Sequence, residues 1–267
     1  MTGRPIWYEL MTPDVRSVAP FYSAVLGWNI PDAGTKMANG SEYRMIDAAD
    51  GGAAGGVLTL TREMQSGGAR PGWLPYFAVD DVDAAVAKAT KHDAPPLMPP
   101  QTLPDVGRIA MIADPQGAPL YLMKPTPPPG KPDAQSDVFD VKKAGHCHWN
   151  ELLTNEAPAA KSFYKSLLGW TIDEKMPMGA AGDYLFIDCE KERIGAISPT
   201  VKPATRPCWL LYFGVDDIGR ARAAATTNGG RIVQEPREIP GGDHVFTATD
   251  PVGALVGFVG PISQLRH

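Results

Sequence analysis

Long apolar runs, basic clusters and paired cysteines are all missing from this chain of 267 residues. No apolar stretch approaches the roughly 20 residues that a membrane-spanning helix needs. Met1 to Pro5 pass straight into an apolar and aromatic run without the basic and apolar regions of a signal peptide, so export is not expected. Cys147, Cys189 and Cys208 are an odd number with no Cys-x-x-Cys spacing. That supports neither a disulfide framework nor a zinc knuckle, and a reducing cytoplasm is the expected location. The net charge of −5, with Lys and Arg scattered, speaks against nucleic acid or an anionic membrane as partner, because both need a basic footprint. No Gly-Lys-Ser/Thr phosphate loop follows the glycine-rich run Gly51 to Gly56, which reads as a hairpin with close backbone approach. No Ser-His-Asp or Cys-His nucleophile motif stands out either.

What is present is a repeat. Trp7 to Thr12 (WYELMT) matches Trp149 to Thr154 (WNELLT), and Phe21-Tyr22 with Leu26-Gly27-Trp28 matches Phe163-Tyr164 with Leu168-Gly169-Trp170. Tyr43 to Asp47 matches Tyr184 to Asp188, Trp73 to Asp81 matches Trp209 to Asp217, and Asp114 to Ala118 matches Asp250 to Ala254. Fixed-offset similarity over nearly the whole chain is the mark of a tandem duplication. Between the copies, Pro127-Pro128-Pro129-Gly130 and Lys131-Pro132 have the stiff composition of a linker. The expected organisation is a first domain over 1–125, a linker over 126–145 and a second domain over 146–267. A hydrophobic content of 43% with 21% charged residues suits two globular domains with real cores.

Within a copy, Ile6 to Thr12 reads as a strand bounded by prolines. Asp14 can cap a helix whose apolar positions Val15, Val18, Phe21, Tyr22, Val25 and Leu26 keep helical spacing up to Gly27. Pro20 argues for a start at Ser17, which would put the proline in the first turn. Strand patterns cover Glu42 to Asp47 and Val57 to Leu60. A second strand and helix follow from Trp73, with Asp80, Asp81 and Asp83 at the helix start and Val82, Ala85, Val86 and Ala89 on its buried face.

Phe21-Tyr22 and Leu26-Gly27-Trp28, preceded by a strand and followed by Asp114-Pro115-x-Gly117, make a set that recurs with Asp250-Pro251-x-Gly253 in the second copy. In order and spacing it resembles the vicinal oxygen chelate superfamily, which includes glyoxalase I, extradiol dioxygenases and bleomycin-resistance proteins. Tandem glyoxalase-like proteins of bacteria are the nearest likeness. The resemblance implies an α+β fold in which each domain is two βαβββ modules forming a curved, mostly antiparallel sheet around a cleft. In metal-using members, strand histidines and a glutamate after the Asp-Pro-x-Gly turn hold one divalent ion, which polarises substrate oxygens. Here the first-strand position falls on Trp7 and Trp149, the second-strand position near Leu74 and Leu210, and the glutamate position on Tyr121 and Gly257. These residue types do not ligate such a metal. No cofactor is therefore expected, although a divalent metal remains the competing reading.

Glu9 and Glu151 lie two residues after the tryptophans, so strand alternation puts Trp7 with Glu9 and Trp149 with Glu151 on matching faces. A carboxylate among aromatics is a candidate catalytic base or ligand hook, against the alternative of an Arg-paired carboxylate that only holds the sheet. Trp7 and Trp149 are candidate ligand contacts lining the cleft, as are Tyr43, Tyr76, Tyr121, Tyr184 and Tyr212, the tyrosines against the alternative of core rings with hydroxyls at the rim. Arg108 and its mate His244 are candidates for an anionic or carbonyl group at the cleft mouth, or surface residues on a hairpin. His146 and His148 would sit on the face opposite Trp149 and Glu151, as a metal clip or as exposed linker-edge histidines. Trp28 and Trp170 read as packing.

Three functions compete. The first is metal-independent binding of a small aromatic or hydrophobic molecule. The second is a glyoxalase-like lyase, isomerase or dioxygenase with a metal held by Glu9, Glu151, His148 or His244. The third is a non-catalytic interaction protein. The sequence does not set the oligomeric state or the ligand.

Overall fold

The computed structural model describes residues 2–131, 134–199 and 206–263. Pro132, counted above with the linker, lies outside them. Strand β1 (Pro5–Thr12) leads through helix α1 (Val15–Leu26) to β2 (Thr35–Lys36), β3 (Glu42–Asp47) and β4 (Ala53–Thr59). After the short α2 (Arg62–Ser66), the pattern repeats as β5 (Gly72–Ala78), α3 (Val82–Thr90), β6 (Pro96–Leu103), β7 (Gly107–Ala113) and β8 (Pro119–Pro125). The second half runs β9 (Cys147–Thr154), α4 (Ala157–Leu168), β10 (Lys175–Pro177), β11 (Asp183–Cys189) and β12 (Glu192–Pro199). It closes with β13 (Cys208–Gly214), α5 (Ile218–Thr227), β14 (Arg231–Glu238), β15 (His244–Thr249) and β16 (Leu255–Gly260).

The strand orders are β2-β3-β4-β1-β5-β8-β7-β6 and β10-β11-β12-β9-β13-β16-β15-β14, two eight-stranded sheets. Antiparallel pairs such as β3 with β4, β7 with β8, β11 with β12 and β15 with β16 predominate. Parallel pairs join the first strand of a module to its last, as in β1 with β4 and β5 with β8. This is the implied α+β duplication of βαβββ modules.

Local chemistry explains the helices. The Asp14 carboxylate accepts from the Ser17 amide at 3.2 Å, and Gly27 ends α1 in the left-handed region at φ 70°. The buried residues of α1 are those that the spacing selected, Val15 through Leu26. The helix nevertheless starts at Val15, so Pro20 lies inside it and the expected start at Ser17 is corrected. A proline inside a helix costs about 3 kcal/mol through the lost hydrogen bond and the clash of its ring with the preceding turn, which is offset by burial of Val15 and Val18, about 1.5–3 kcal/mol each, together with the cap at about 1 kcal/mol. Asp81 caps α3 by accepting from the Ala84 amide at 3.0 Å, and Val82, Val86 and Ala89 are buried on it.

The chain divides into two compact units, each made of segments from both halves of the sequence. One comprises Trp7–Trp73, Asp137–His148 and Leu211–His267. In its core Tyr22 stacks on Trp28 at 5.5 Å, and Phe213 meets Trp28 edge-on at 4.8 Å. The Tyr22 hydroxyl donates to Asp250 at 3.1 Å, and Trp28 Nε1 donates to the Gly145 carbonyl at 2.8 Å. The other comprises Met1–Ile6, Leu74–Ser136 and Trp149–Leu210. It repeats the arrangement with Tyr164 stacked on Trp170 at 5.2 Å, Tyr164 donating to Asp114 at 3.0 Å, and Trp170 Nε1 donating to Gly3 O at 2.8 Å. Trp28 and Trp170 are each 2% exposed, as packing residues should be.

Candidate functional site

Strand alternation places the candidate residues. On β1, Tyr8 and Leu10 are fully buried, while Trp7 and Glu9 occupy the other face. On β9, Asn150 and Leu152 are fully buried, and Trp149, Glu151 and Leu153 share the more open face. The hydroxyls of β3 and β11 meet these faces. Trp7 Nε1 donates to Tyr43 Oη at 2.6 Å, and Trp149 Nε1 donates to Tyr184 Oη at 2.8 Å. Tyr184 Oη in turn donates to Glu151 Oε2 at 3.0 Å.

Glycine makes the first of these contacts possible. Gly56 is the β4 partner of Glu9, and a Cβ at that position would collide with the Tyr43 hydroxyl. At Gly55 a Cβ would run into the Tyr8 carbonyl, so the close backbone approach read from the glycine run is present. Burial, with the Glu9 charge second, pushes the Tyr43 hydroxyl far above an ordinary phenol, so it stays protonated. Glu9 is only 2% exposed.

Aromatic rings occupy or cover the positions where the resemblance would place a metal-binding glutamate. Tyr121 stacks on Tyr76, with ring centroids 4.0 Å apart and planes 14° from parallel. At Gly257 the ring of Tyr212 lies over the backbone, and any Cβ there would strike it. Leu74 and Leu210 fill the second-strand positions and are 6% and 4% exposed. Trp7 and Trp149 are engaged by tyrosine hydroxyls. The donor set does not fit a divalent ion, since it offers one carboxylate per half and no imidazole. Among the described residues, no group of three or more His, Cys, Asp or Glu side chains is placed to hold one.

The other candidates lie elsewhere. Arg108 is held by Asp83, one bond measuring 2.7 Å, and by the Thr102 hydroxyl at 3.0 Å, so α3 and β6 take its donors. His244 opens β15 opposite Glu238 and Gly260, and its Nδ1 has no hydrogen-bond partner. His146 is fully buried, which corrects the expectation of an exposed linker edge. Its Nδ1 lies 2.6 Å from the Asp137 carbonyl and its Nε2 lies 3.2 Å from Asp50. His148 Nε2 lies 2.8 Å from the Lys143 carbonyl. With oxygen partners on these nitrogens, neither imidazole forms a metal clip. The physical reason is that Val138 and Phe139, although in the linker, are buried beside β9 and pull this segment inward.

Two features of the β9–β12 face were missed by sequence reasoning. Phe186 lies next to Trp149, 6.2 Å between centroids, and carries the Arg193 guanidinium 4.5 Å above its ring. Alternation from Tyr184 would have put Phe186 on this face, but nothing local announces Arg193. Cys208 lies close enough to Glu151 to feel its charge. Burial first, and that charge second, push the thiol up to about 11. At pH 8 its thiolate fraction is then roughly a hundredfold below that of an ordinary cysteine. Iodoacetamide should label Cys208 correspondingly slowly in the folded protein and faster in Glu151→Gln. Labelling of the folded chain at the free-thiol rate would contradict this placement.

Comparisons with known proteins agree with the architecture. The family model for the Glyoxalase/Bleomycin resistance protein/Dioxygenase superfamily matches residues 4–121 and 143–258. A Mycobacterium tuberculosis protein named "Putative glyoxylase CFP32" is 30% identical over 262 residues, covering 98% of this chain and 96% of that protein. The anthracycline biosynthesis protein DnrV of Streptomyces peucetius is 29% identical, with 94% of this chain and 91% of that one covered. In fold, the chain is similar to the Mn(II)-bound glyoxalase of Novosphingobium aromaticivorans, with a TM-score of 0.65, 15% identity, and 98% and 83% of the two chains covered. Two family matches, set on a duplicated βαβββ architecture, show that this chain belongs to the glyoxalase/bleomycin resistance protein/dioxygenase superfamily.

Proposed function

We propose that this protein binds a small planar aromatic molecule on the sheet faces that carry Trp7, Glu9 and Tyr43 and Trp149, Glu151 and Tyr184, without a resident metal. The observation that carries this reading is the filling of the metal-ligand positions in both halves. Indoles are hydrogen-bonded to tyrosines, Tyr121 is stacked on Tyr76, and Gly257 is covered by Tyr212. Flat, rigid side chains with a few polar groups suit an aromatic ligand held by stacking and oriented by hydrogen bonds. Support also comes from DnrV, whose name assigns it to the biosynthesis of anthracyclines, which are planar polycyclic compounds.

The names of the mycobacterial relative and the manganese-bound fold neighbour favour a second reading, a metal-dependent lyase, isomerase or dioxygenase. One experiment separates the two. Protein purified without added metal is analysed for elements and then titrated with 2-(hydroxymethyl)anthraquinone in EDTA, following tryptophan fluorescence. Saturable quenching of metal-free protein is the expected result. Stoichiometric metal, with quenching abolished by EDTA, would transfer the argument to the second reading.

A further inference from the structure

The two compact units differ where a helix meets an Asp-Pro-x-Gly turn. In one of them Phe21 of α1 lies against Gly230 and Pro251 lies against Gly229, and a Cβ at Gly230 would collide with the Phe21 ring. Phe21 is fully buried there. At the offset that relates Trp73 to Trp209, the corresponding residues of the other unit are Ala94 and Asp93. The backbone follows the same course, with Asp93 at φ 59° and Gly229 at φ 84°. What changes is the added Cβ at each position, which keeps Phe163 and Pro115, the mates of Phe21 and Pro251, from settling onto the backbone. The space left is a hollow of about 340 Å³ lined by Phe163 and Ala159 of α4, Pro115 and Gln116 of the turn, and His92 and Asp93 after α3. Small-molecule pockets begin at roughly 300 Å³.

The wall of the hollow also differs in polarity. Gln116 stands where the other unit has Val252. Its Oε1 is turned inward, buried, and without a hydrogen-bond partner among the described residues. An unpaired buried acceptor costs free energy that a valine avoids. Gln116 as a whole is only partly buried, and the hollow leaves room for its carboxamide to turn outward. Turned that way it presents a C=O acceptor beside an N–H donor, the complement of a lactam edge. The flat rings of such a molecule would rest between Phe163 and Pro115. Lys91 and Asp93 bring opposite charges to the lining, so it does not call for an ionised ligand.

We infer that this hollow binds a small uncharged bicyclic lactam, whose N–H donates to Gln116 Oε1 and whose carbonyl accepts from Gln116 Nε2. The site shares no residue with the tryptophan and tyrosine faces and stands independently of the reading proposed for them. The test titrates the full chain with 2-quinolinone and with coumarin, which has the same shape but an oxygen in place of the N–H, and follows assigned backbone amides by NMR. 2-Quinolinone should shift the amides of His92, Gln116 and Phe163 saturably. It should bind roughly 10-fold more tightly than coumarin, the factor expected when one buried acceptor gains its donor. Gln116→Val copies the other unit and keeps the backbone amide that donates to Asp114, and in it the two ligands should bind equally and weakly. The ratio in the unaltered chain carries the test even if that variant folds poorly. Equal binding of the two ligands, shifts confined to other parts of the chain, a preference that survives in Gln116→Val, or no response at millimolar concentration would each overturn the inference.

Discussion

Asp250→Ala is expected to destabilise the protein by about 2–4 kcal/mol, the cost of stranding several buried polar groups at once. The Asp250 Oδ1 accepts from the Val252 amide at 3.0 Å and the Ala254 amide at 2.9 Å, which closes the Asp-Pro-x-Gly turn. Its Oδ2 accepts from Tyr22, whose hydroxyl is fully buried. Alanine removes all three acceptors at a residue only 3% exposed. Asp250→Asn keeps an acceptor for the turn and a polar partner for Tyr22, so it should cost much less. Urea unfolding of Asp250→Ala, Tyr22→Phe and the double variant forms a cycle, in which a coupling of about 0.5–3 kcal/mol is expected for residues in direct contact. An unchanged midpoint for Asp250→Ala would remove this bond from the account of stability. Asp114 with Tyr164 is the repeat-related pair, with the Ala118 and Gln116 amides as its turn donors, and should behave alike.

Trp28→Ala should be at least as damaging, about 3–5 kcal/mol, because truncating a buried tryptophan leaves a large cavity. The ring touches Tyr22, Phe213 and Trp73, the last at 5.6 Å, and its N–H satisfies the carbonyl of Gly145. Trp28→Phe keeps most of the apolar contact and leaves that carbonyl unpaired, at about 1–2 kcal/mol. The expected readout is a lower denaturant midpoint at unchanged m. Trp170→Ala tests the duplication, since Trp170 packs on Tyr164, on Phe77 at 4.9 Å and on Trp209 at 6.1 Å, and bonds to Gly3. If one variant were severe and the other silent, the two units would not share a packing logic.

Much of the candidate site was legible in the sequence because it depends on short-range rules. A period of two assigned Trp7 with Glu9 and Trp149 with Glu151 to common faces, and the repeat aligned Tyr43 with Tyr184. Arg108 shows where such rules stop. Its partner Asp83 is 25 residues away on α3, and strand patterning holds no information about which helix will lie within reach of a guanidinium.

The amino-acid sequence by itself determined the duplication, the βαβββ order, the buried face of α1, the cap at Asp14, the acidic start of α3, and the non-ligating residue types at Trp7, Trp149, Tyr121 and Gly257. Each of these follows from residue chemistry within a few positions or from a fixed offset. Only the tertiary structure decided that Tyr22 bonds to Asp250 and Tyr164 to Asp114, that His146 is buried against Asp50, and that Tyr212 covers Gly257. Those pairings depend on which modules pack together. Two nearly equivalent copies present nearly equivalent partners to one another, so similarity within the sequence does not say which copy will supply the contact; the shapes of the packed faces do.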